Sequence, residues 1–221
     1  MTKALILSGG TVYADPWHPF AETSDRLAGI LRGVGIDTEI RDDVEDALAD
    51  LSGVDLIVPN AAAGPDSEKR AGAREGLLAY LARGGGVLAV HVGAAGLAGI
   101  PEWEAVTGMA WVDDRSSHSP VGWASVSVHP DRHPIAAPLK DFELRDECYR
   151  DLRLSGESAP FVTHRHAGTV HPLVWVRPHG TARIVVDTLG HDGTSYDSRE
   201  HRLLIERAAL WATGQSPDLA G

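Results

Sequence analysis

Cysteine is almost missing from this 221-residue chain: Cys148 stands alone. One cysteine excludes an internal disulfide, fits a reducing compartment, and leaves any transition-metal site to histidine and carboxylate ligands. Basic residues are scarce as well, 20 Lys and Arg against 31 Asp and Glu, for a net charge of −11. Without a basic surplus nothing displaces counterions from a phosphate backbone, so a nucleic-acid partner is not expected, and neither is an anionic membrane surface. No apolar run approaches the roughly 18–20 residues of a membrane span. Met1-Thr2-Lys3 leads straight into an apolar segment without the parts of a secretory leader, so a cytoplasmic location is expected. Repeats, linkers and low-complexity stretches are lacking too. With 43% hydrophobic and 23% charged residues, the whole of 1–221 is expected to form a single domain with a full core.

What is present is an alternation. Ala4–Ser8, Thr38–Ile40, Val54–Asn60 and Val87–Val90 read as strands, the second of them edge-like. Between them, Phe20–Gly33, Val44–Leu51 and Ser67–Ala82 carry helical spacing, with Thr23 or Ser24 and Asp42 or Asp43 as cap candidates. Gly84-Gly85-Gly86 suits a helix stop. Strands alternating with helices over short connections predict an α/β fold, a doubly wound and mostly parallel sheet with right-handed crossovers. Beyond residue 91 the pattern changes. Short helical turns at 94–99 and 102–106 precede strands at 123–128, 142–144, 161–164, 173–176 and 183–189, then a helix over 198–213 and a frayed tail. This predicts a strand-rich insertion between the two sheet edges, whose exposed faces could pair subunits in a homo-oligomer.

Ligands of such sheets bind beyond the carboxyl ends of the strands. His91 and His191 each directly follow an apolar strand and lie beside a glycine, so both are expected on that edge. A histidine satisfied by a backbone carbonyl at a strand end would carry the same local signature. Asp146-Glu147, close to Tyr149, ends another strand. Adjacent residues there face opposite ways, so one carboxylate is expected in the cleft as acid/base or metal ligand. The His129–Ile135 segment, with Pro130 and Pro134, reads as a rigid turn. His164, His166, His171 and His179 lack metal-ligand spacing and are expected to be exposed, and His201 to lie on a helix face. The glycines precede the Val87–Val90 strand, whereas a phosphate-cradling loop follows one, so no nucleotide cofactor is expected.

Several motifs in order resemble one family. Leu7-Ser8-Gly9-Gly10 is followed by His18-Pro19, then Gly84-Gly85-Gly86-Val87-Leu88-Ala89-Val90-His91, His118 and His133-Pro134-Ile135. Asp146-Glu147-Cys148-Tyr149, Trp175-Val176-Arg177, Leu189-Gly190-His191-Asp192 and Trp211-Ala212 complete the series. Together they are similar to the trehalose-utilisation (ThuA-like) family of bacterial proteins, within the class I glutamine amidotransferase-like superfamily, a flavodoxin-like fold. The resemblance implies a sharp turn after the central strand where amidotransferases carry a nucleophilic cysteine; here His91 occupies it, and His191 takes the place of the catalytic histidine. Cys148 matches no such turn, so glutamine hydrolysis through a thiolate is not expected. Two departures from the family pattern, a longer polar loop between Gly10 and His18 and Val92-Gly93 after the histidine, bear on pocket shape.

The resemblance further implies carbohydrate metabolism, with a sugar or keto-sugar as small-molecule ligand undergoing hydrolysis or isomerisation. His18, His91, His118, Glu147 and His191 would then converge, holding zinc or another divalent metal. A metal-free alternative uses His91 and His191 as acid and base, with Asp146 or Glu147 orienting one of them. Trp17, Trp111, His118, Tyr149 and Asp192, with His18, would bind substrate. A different class of reading is a non-catalytic sugar-binding or assembly protein that has lost the cysteine.

Overall fold

The computed structural model describes residues 1–156 and 158–218. Four strands, β1 (Lys3–Ser8), β2 (Asp37–Arg41), β3 (Leu56–Asn60) and β4 (Gly86–Val90), alternate with helices α1 (Phe20–Gly33), α2 (Val44–Ala49) and α3 (Arg70–Ala82). They pair in parallel in the order β2-β1-β3-β4, which makes β2 the edge strand that its short apolar run predicts. Alternate residues of each strand face opposite layers. Ala4, Ile6, Leu88 and Val90 pack with Leu27 and Leu31 of α1, whereas Leu5, Leu7, Val87 and Ala89 pack with Leu48, Leu77 and Tyr80. Every residue of β4 is buried, as expected of a strand covered on both sides.

Two short helices, α4 (Gly93–Gly96) and α5 (Trp103–Thr107), lead into two-residue strands β5 (Met109–Ala110) and β6 (Ser117–His118). Strands β7 (Gly122–Val128), β8 (Phe142–Asp146), β9 (Tyr149–Arg150), β10 (Arg153–Leu154), β11 (Ala159–His166), β12 (Thr169–His179) and β13 (Ala182–Asp187) follow, and helix α6 (Arg199–Ala212) closes on the α1 face. Strand β13 returns to pair parallel with β4, Asp187 opposite Val90. The inserted strands continue the same sheet beyond it, antiparallel, as β13-β12-β11-β7-β8. The insertion therefore extends one edge instead of lying between two. Four successive antiparallel pairings give β8 the same sense as β4 and β13, so its carboxyl end, with Glu147, emerges on the same side as His91 and His191.

Three local expectations change. Thr23 and Ser24 do not cap α1, which begins at Phe20 behind Pro19. They lie one turn further in, buried, where the Asn60 side chain donates to both hydroxyls at 2.9 Å, tying α1 to β3 and fixing the start of the loop that carries His18. His201 is fully buried, and His164 and His171 are 7% and 6% exposed. His164 hydrogen-bonds the Tyr149 carbonyl at 3.0 Å and stacks on His171, its cross-strand neighbour. The 134–136 turn is the expected rigid one, His133 Nδ1 accepting from the Ile135 amide. The tail expected to fray lies partly outside the described residues, in 219–221.

The turn after β4 is tightly packed. A Cβ on Gly93 would stand 2.0 Å from the Pro59 carbonyl oxygen, and one on Gly96 1.8 Å from that of Ala61. Both are backbone atoms that cannot step aside alone. Gly93→Ala is therefore expected to push α4 off β3 and cost about 1–3 kcal/mol or more, a drop of several degrees in Tm by calorimetry.

Candidate functional site

Each of four segments brings one side chain to the carboxyl edge of the sheet. After β4 the chain turns at His91 with φ +47°, a left-handed conformation that L-residues other than glycine rarely adopt. Such strain persists only where packing imposes it, and it gathers at functional sites. The sharp turn drives the imidazole outward. Its Nδ1 meets the Thr188 carbonyl at 2.9 Å, leaving Nε2 to face the cleft. His18 comes from the loop after β1, where Asp15 organises a turn by accepting from the amides of Trp17 (2.9 Å) and His18 (3.0 Å). The same carboxylate holds His18 Nδ1 at 2.7 Å. His18 Nε2 then lies 3.1 Å from His91 Nε2.

Glu147, 4% exposed, closes the group from β8. Its Oε1 is 3.3 Å from His91 Nε2 and its Oε2 is 3.5 Å from His191 Nδ1. His191 follows β13, and its buried Nδ1 makes no hydrogen bond within the usual distance among the described residues. The ligand atoms of His18, His91, Glu147 and His191 all lie within 4.8 Å of one another, the one such group among the described residues.

Nδ1 of His18 donates to a carboxylate and Nδ1 of His91 to a carbonyl, so in the neutral rings both facing Nε2 atoms carry lone pairs. Two lone pairs at 3.1 Å repel unless a cation or a shared proton sits between them. Burial, and then the charge of His91, lower the pKa of His18, which works against the proton. A tetrahedral metal with bonds of about 2.0–2.1 Å sets its donors about 3.3 Å apart. The three distances of 3.1, 3.3 and 3.5 Å sit around that value. The outer contacts of Asp15 and Thr188 also match the partners that orient metal-bound imidazoles.

Burial opposes ionisation of Glu147, but His191 and His91 override it and hold its carboxyl far below the usual range. The Glu147 carboxylate in turn raises the pKa of His191. Tyr149 is buried, which pushes its phenol well above the usual value, so it is a neutral donor; its hydroxyl reaches His91 Nε2 at 3.2 Å. Trp111 lies edge-on to the Tyr149 ring, centroids 5.3 Å apart.

The remaining expected residues fall outside the four. His118, its side chain 47% exposed, sets Nδ1 2.9 Å from Glu147 Oε2 and so braces the carboxylate from the solvent side. Trp17 is 72% exposed on the loop beside His18. Asp192 turns to its own loop, accepting from the amide and hydroxyl of Thr194. Asp146, 1% exposed, points away from the cleft and accepts from the amides of Glu147 (2.8 Å), Gly190 (2.8 Å) and His191 (3.1 Å) and from the Ser195 hydroxyl (2.5 Å). It clamps the end of β8 to the loop after β13, so it positions Glu147 and His191. Cys148 is buried, which raises its thiol to about 12 and leaves no thiolate for nucleophilic attack. Asp15 and the Thr188 carbonyl were missed from sequence. The Asp15-x-x-His18 spacing in a proline-containing loop carried a signal for the first; a backbone carbonyl carries none.

A cavity of about 760 Å³ lies beside His18, lined in part by Asp15, Glu22, Asp25 and Asp42. Four carboxylates there disfavour an anionic ligand.

Comparison with known proteins agrees with this architecture. Residues 3–212 match the ThuA family, described as trehalose utilisation. A ThuA-like protein from Parabacteroides merdae superposes with TM-score 0.81 at 20% identity, over 100% of this chain and 92% of that one. One from Bacteroides uniformis gives 0.74 at 16%, over 98% and 94%. A glutamine amidotransferase from Thermotoga maritima shares the fold at 0.51 and 11%, over 96% and 94%. No curated protein matches the chain significantly.

Proposed function

Because the chain belongs to the ThuA, or trehalose-utilisation, family, we propose that it is a divalent-metal enzyme acting at a carbonyl or adjacent carbon of an uncharged sugar derivative, by hydrolysis or isomerisation. The observation that carries the reading is the pair of imidazole Nε2 atoms at 3.1 Å, each ring anchored through Nδ1 to an acceptor. His18, His91, His191 and Glu147 would hold the ion. Zinc fits the three-imidazole, one-carboxylate donor set, as do other first-row divalent metals. Such an ion supplies Lewis acidity to a carbonyl oxygen or lowers the pKa of bound water.

The chain's own groups do the rest. The carbonyl of Thr188 and the carboxylate of Asp15 keep the ligating nitrogens deprotonated and aimed. The Tyr149 hydroxyl, beside the ligating face of His91, is placed to donate to a substrate oxygen. His118, braced on Glu147 and half exposed, is placed to move a proton between substrate and solvent. The acidic cavity beside His18 favours neutral substrates over phosphorylated ones.

The test is elemental analysis of protein purified without chelator, followed by assay of keto-sugars with the protein stripped and reloaded with zinc, manganese, cobalt or nickel. One metal per chain with metal-dependent turnover is expected. No metal uptake, or turnover indifferent to it, overturns the proposal.

The charges of the site also set a pH dependence. The raised pKa of His191 means that its ion pair with Glu147 stabilises the metal-free protein fully below the ordinary imidazole value of 6.5 and is lost as pH rises through the folded value. Glu147, depressed, contributes above its ordinary 4.5 and loses that contribution only as pH falls through its folded value. Metal binding requires a neutral His191 and grows over the range in which the ion pair fades. From about pH 5.5 to 8 the rise in Tm on adding zinc is therefore expected to increase steadily, as followed by differential scanning calorimetry.

A further inference from the structure

The sheet ends on β8, and the outer edge of that strand is open. Backbone groups along β7 alternate between its two neighbours. The Val128 amide bonds the Asp141 carboxylate, just ahead of β8, at 2.8 Å, and the His129 amide bonds the Phe161 carbonyl of β11, also at 2.8 Å. Even-numbered residues of β7 therefore address β8, and their register partners Phe142, Leu144 and Asp146 address β7 in return. The amides and carbonyls of Glu143 and Arg145 are left pointing away from the sheet, and no hydrogen bond to another described residue takes them up. Burial agrees: Leu144 is 1% exposed, whereas Glu143 and Arg145 on either side of it are open to solvent.

Open edges are usually guarded by charge, which repels a second strand. Here the guard carries both signs. Glu143 and Arg145 share one face, and among the described residues neither has an ion pair of its own. Glu143 accepts from the Ser125 hydroxyl at 3.0 Å, and Arg145 lies within the field of Asp192. The opposite edge of the sheet differs. On β2 the Thr38 carbonyl accepts from Arg32, and the flanking charges are already paired, Glu39 with Lys3 and Arg41 with Asp43.

The pattern on β8 is complementary to itself. Antiparallel pairing with a second copy about a two-fold axis at Leu144 sets each Glu143 directly opposite the other chain's Arg145. In the same register the outward amides and carbonyls of these two residues exchange hydrogen bonds in both directions. Sliding the strands by two residues would set Glu143 against Glu143 or Arg145 against Arg145, and sliding by one would turn the charged faces apart. Charge thus selects a single register, and that register is isologous, as a closed dimer requires. Trp123, which pairs with Arg145 across β7 and β8 and is 79% exposed, flanks the seam.

We propose that two copies of this chain join β8 to β8 in this register, so that one sheet runs through the dimer. The inference does not rest on the metal reading, although β8 delivers Glu147 and its clamp Asp146 to the cleft, so pairing would steady that end of the site.

The test is sedimentation velocity of the full chain from micromolar to millimolar concentration, with thermal melts to establish that each variant folds. Wild type is expected to pass from one chain mass to two. Arg145→Glu and Glu143→Arg each turn attractive cross-strand pairs into repulsive ones and are expected to weaken dimerisation about tenfold or more. The double variant Glu143→Arg/Arg145→Glu exchanges the signs and is expected to restore it, which only pairing about Leu144 allows. Should a variant not fold, hydrogen exchange of wild type decides: the Glu143 and Arg145 amides are expected to exchange more slowly as concentration rises. A wild type that stays monomeric leaves the edge to solvent or to an unrelated extended segment and overturns the proposal. So do a dimer indifferent to both single reversals, a double variant as weak as the single ones, or exchange at the two amides that ignores concentration.

Discussion

His91→Ala is expected to empty the metal site. A complete structural zinc site of four protein ligands is worth about 10–16 kcal/mol, so each donor carries roughly 3 kcal/mol, or about two orders of magnitude in affinity. His91 contributes more than its own bond, because its Nε2 stands between those of His18 and the oxygen of Glu147 at 3.1 and 3.3 Å. Elemental analysis after dialysis should fall from one metal per chain to near zero, and zinc should no longer raise Tm. The side chain is buried, 1% exposed, but the fold is expected to survive, since alanine adopts the left-handed turn at a cost of only about 1–2 kcal/mol, which the histidine already bears. Retained zinc would place the ion elsewhere and remove the basis of the proposed chemistry.

Much of the scaffold was legible because it follows from periodicity. The run Val87–Val90 has no polar face, and only a strand covered on both sides tolerates that; in the structure its residues alternate between the two core layers. The carboxyl-edge rule then brings His91 and His191 together without any knowledge of side-chain packing, because β4 and β13 pair in parallel with Val90 opposite Asp187. Glu147 was expected to converge with the histidines through the family resemblance, but its local sequence alone did not place it beside them. Its arrival depends on four antiparallel pairings among strands that are far apart in sequence, and nothing local encodes their order. The choice between Asp146 and Glu147 was equally closed to local reasoning. Alternation assigns them opposite faces, and only the tertiary partners of Asp146 decide which one meets the cleft. His201 lies on a helix as expected, but which face it takes was closed to local reasoning too: it is the buried one, with the carboxylate of Asp187 3.1 Å from Nε2.

The turn after β4 is held tightly, with a residue other than glycine at its apex. Gly93 and Gly96 let α4 approach β3 closely, and the residue at the apex keeps a positive φ. The imidazole at the apex has a second nitrogen that must be satisfied, here by the Thr188 carbonyl from the neighbouring strand's exit. That anchoring turns a strained, outward-pointing residue into a fixed donor of one lone pair.

Asp146→Ala tests how much of this placement is held from behind. Three amides and one hydroxyl converge on the Asp146 carboxylate, and two of the amides belong to Gly190 and His191. Behind it the network continues from Ser195 to His201 Nδ1 at 2.9 Å and from His201 to Asp187. Ser195 gives its proton to Asp146 and Asp187 only accepts, so both His201 nitrogens must donate. Burial opposes that imidazolium, but Asp187 outweighs it and raises its pKa. Removing the Asp146 carboxylate leaves buried donors unpaired and strips the imidazolium of one of its two counter-charges. The cost expected is about 3–5 kcal/mol by urea denaturation, the range for breaking a buried charged pair from one side. Asp146→Asn keeps the volume but offers one acceptor oxygen to four donors, so it should recover only part of the loss. If the carboxylate serves the site as well as the fold, zinc affinity in Asp146→Asn should fall about 10–100-fold under conditions where the protein remains folded, the effect typical of residues that orient metal ligands. Wild-type affinity in that variant, with stability reduced, would reduce Asp146 to a purely structural clamp.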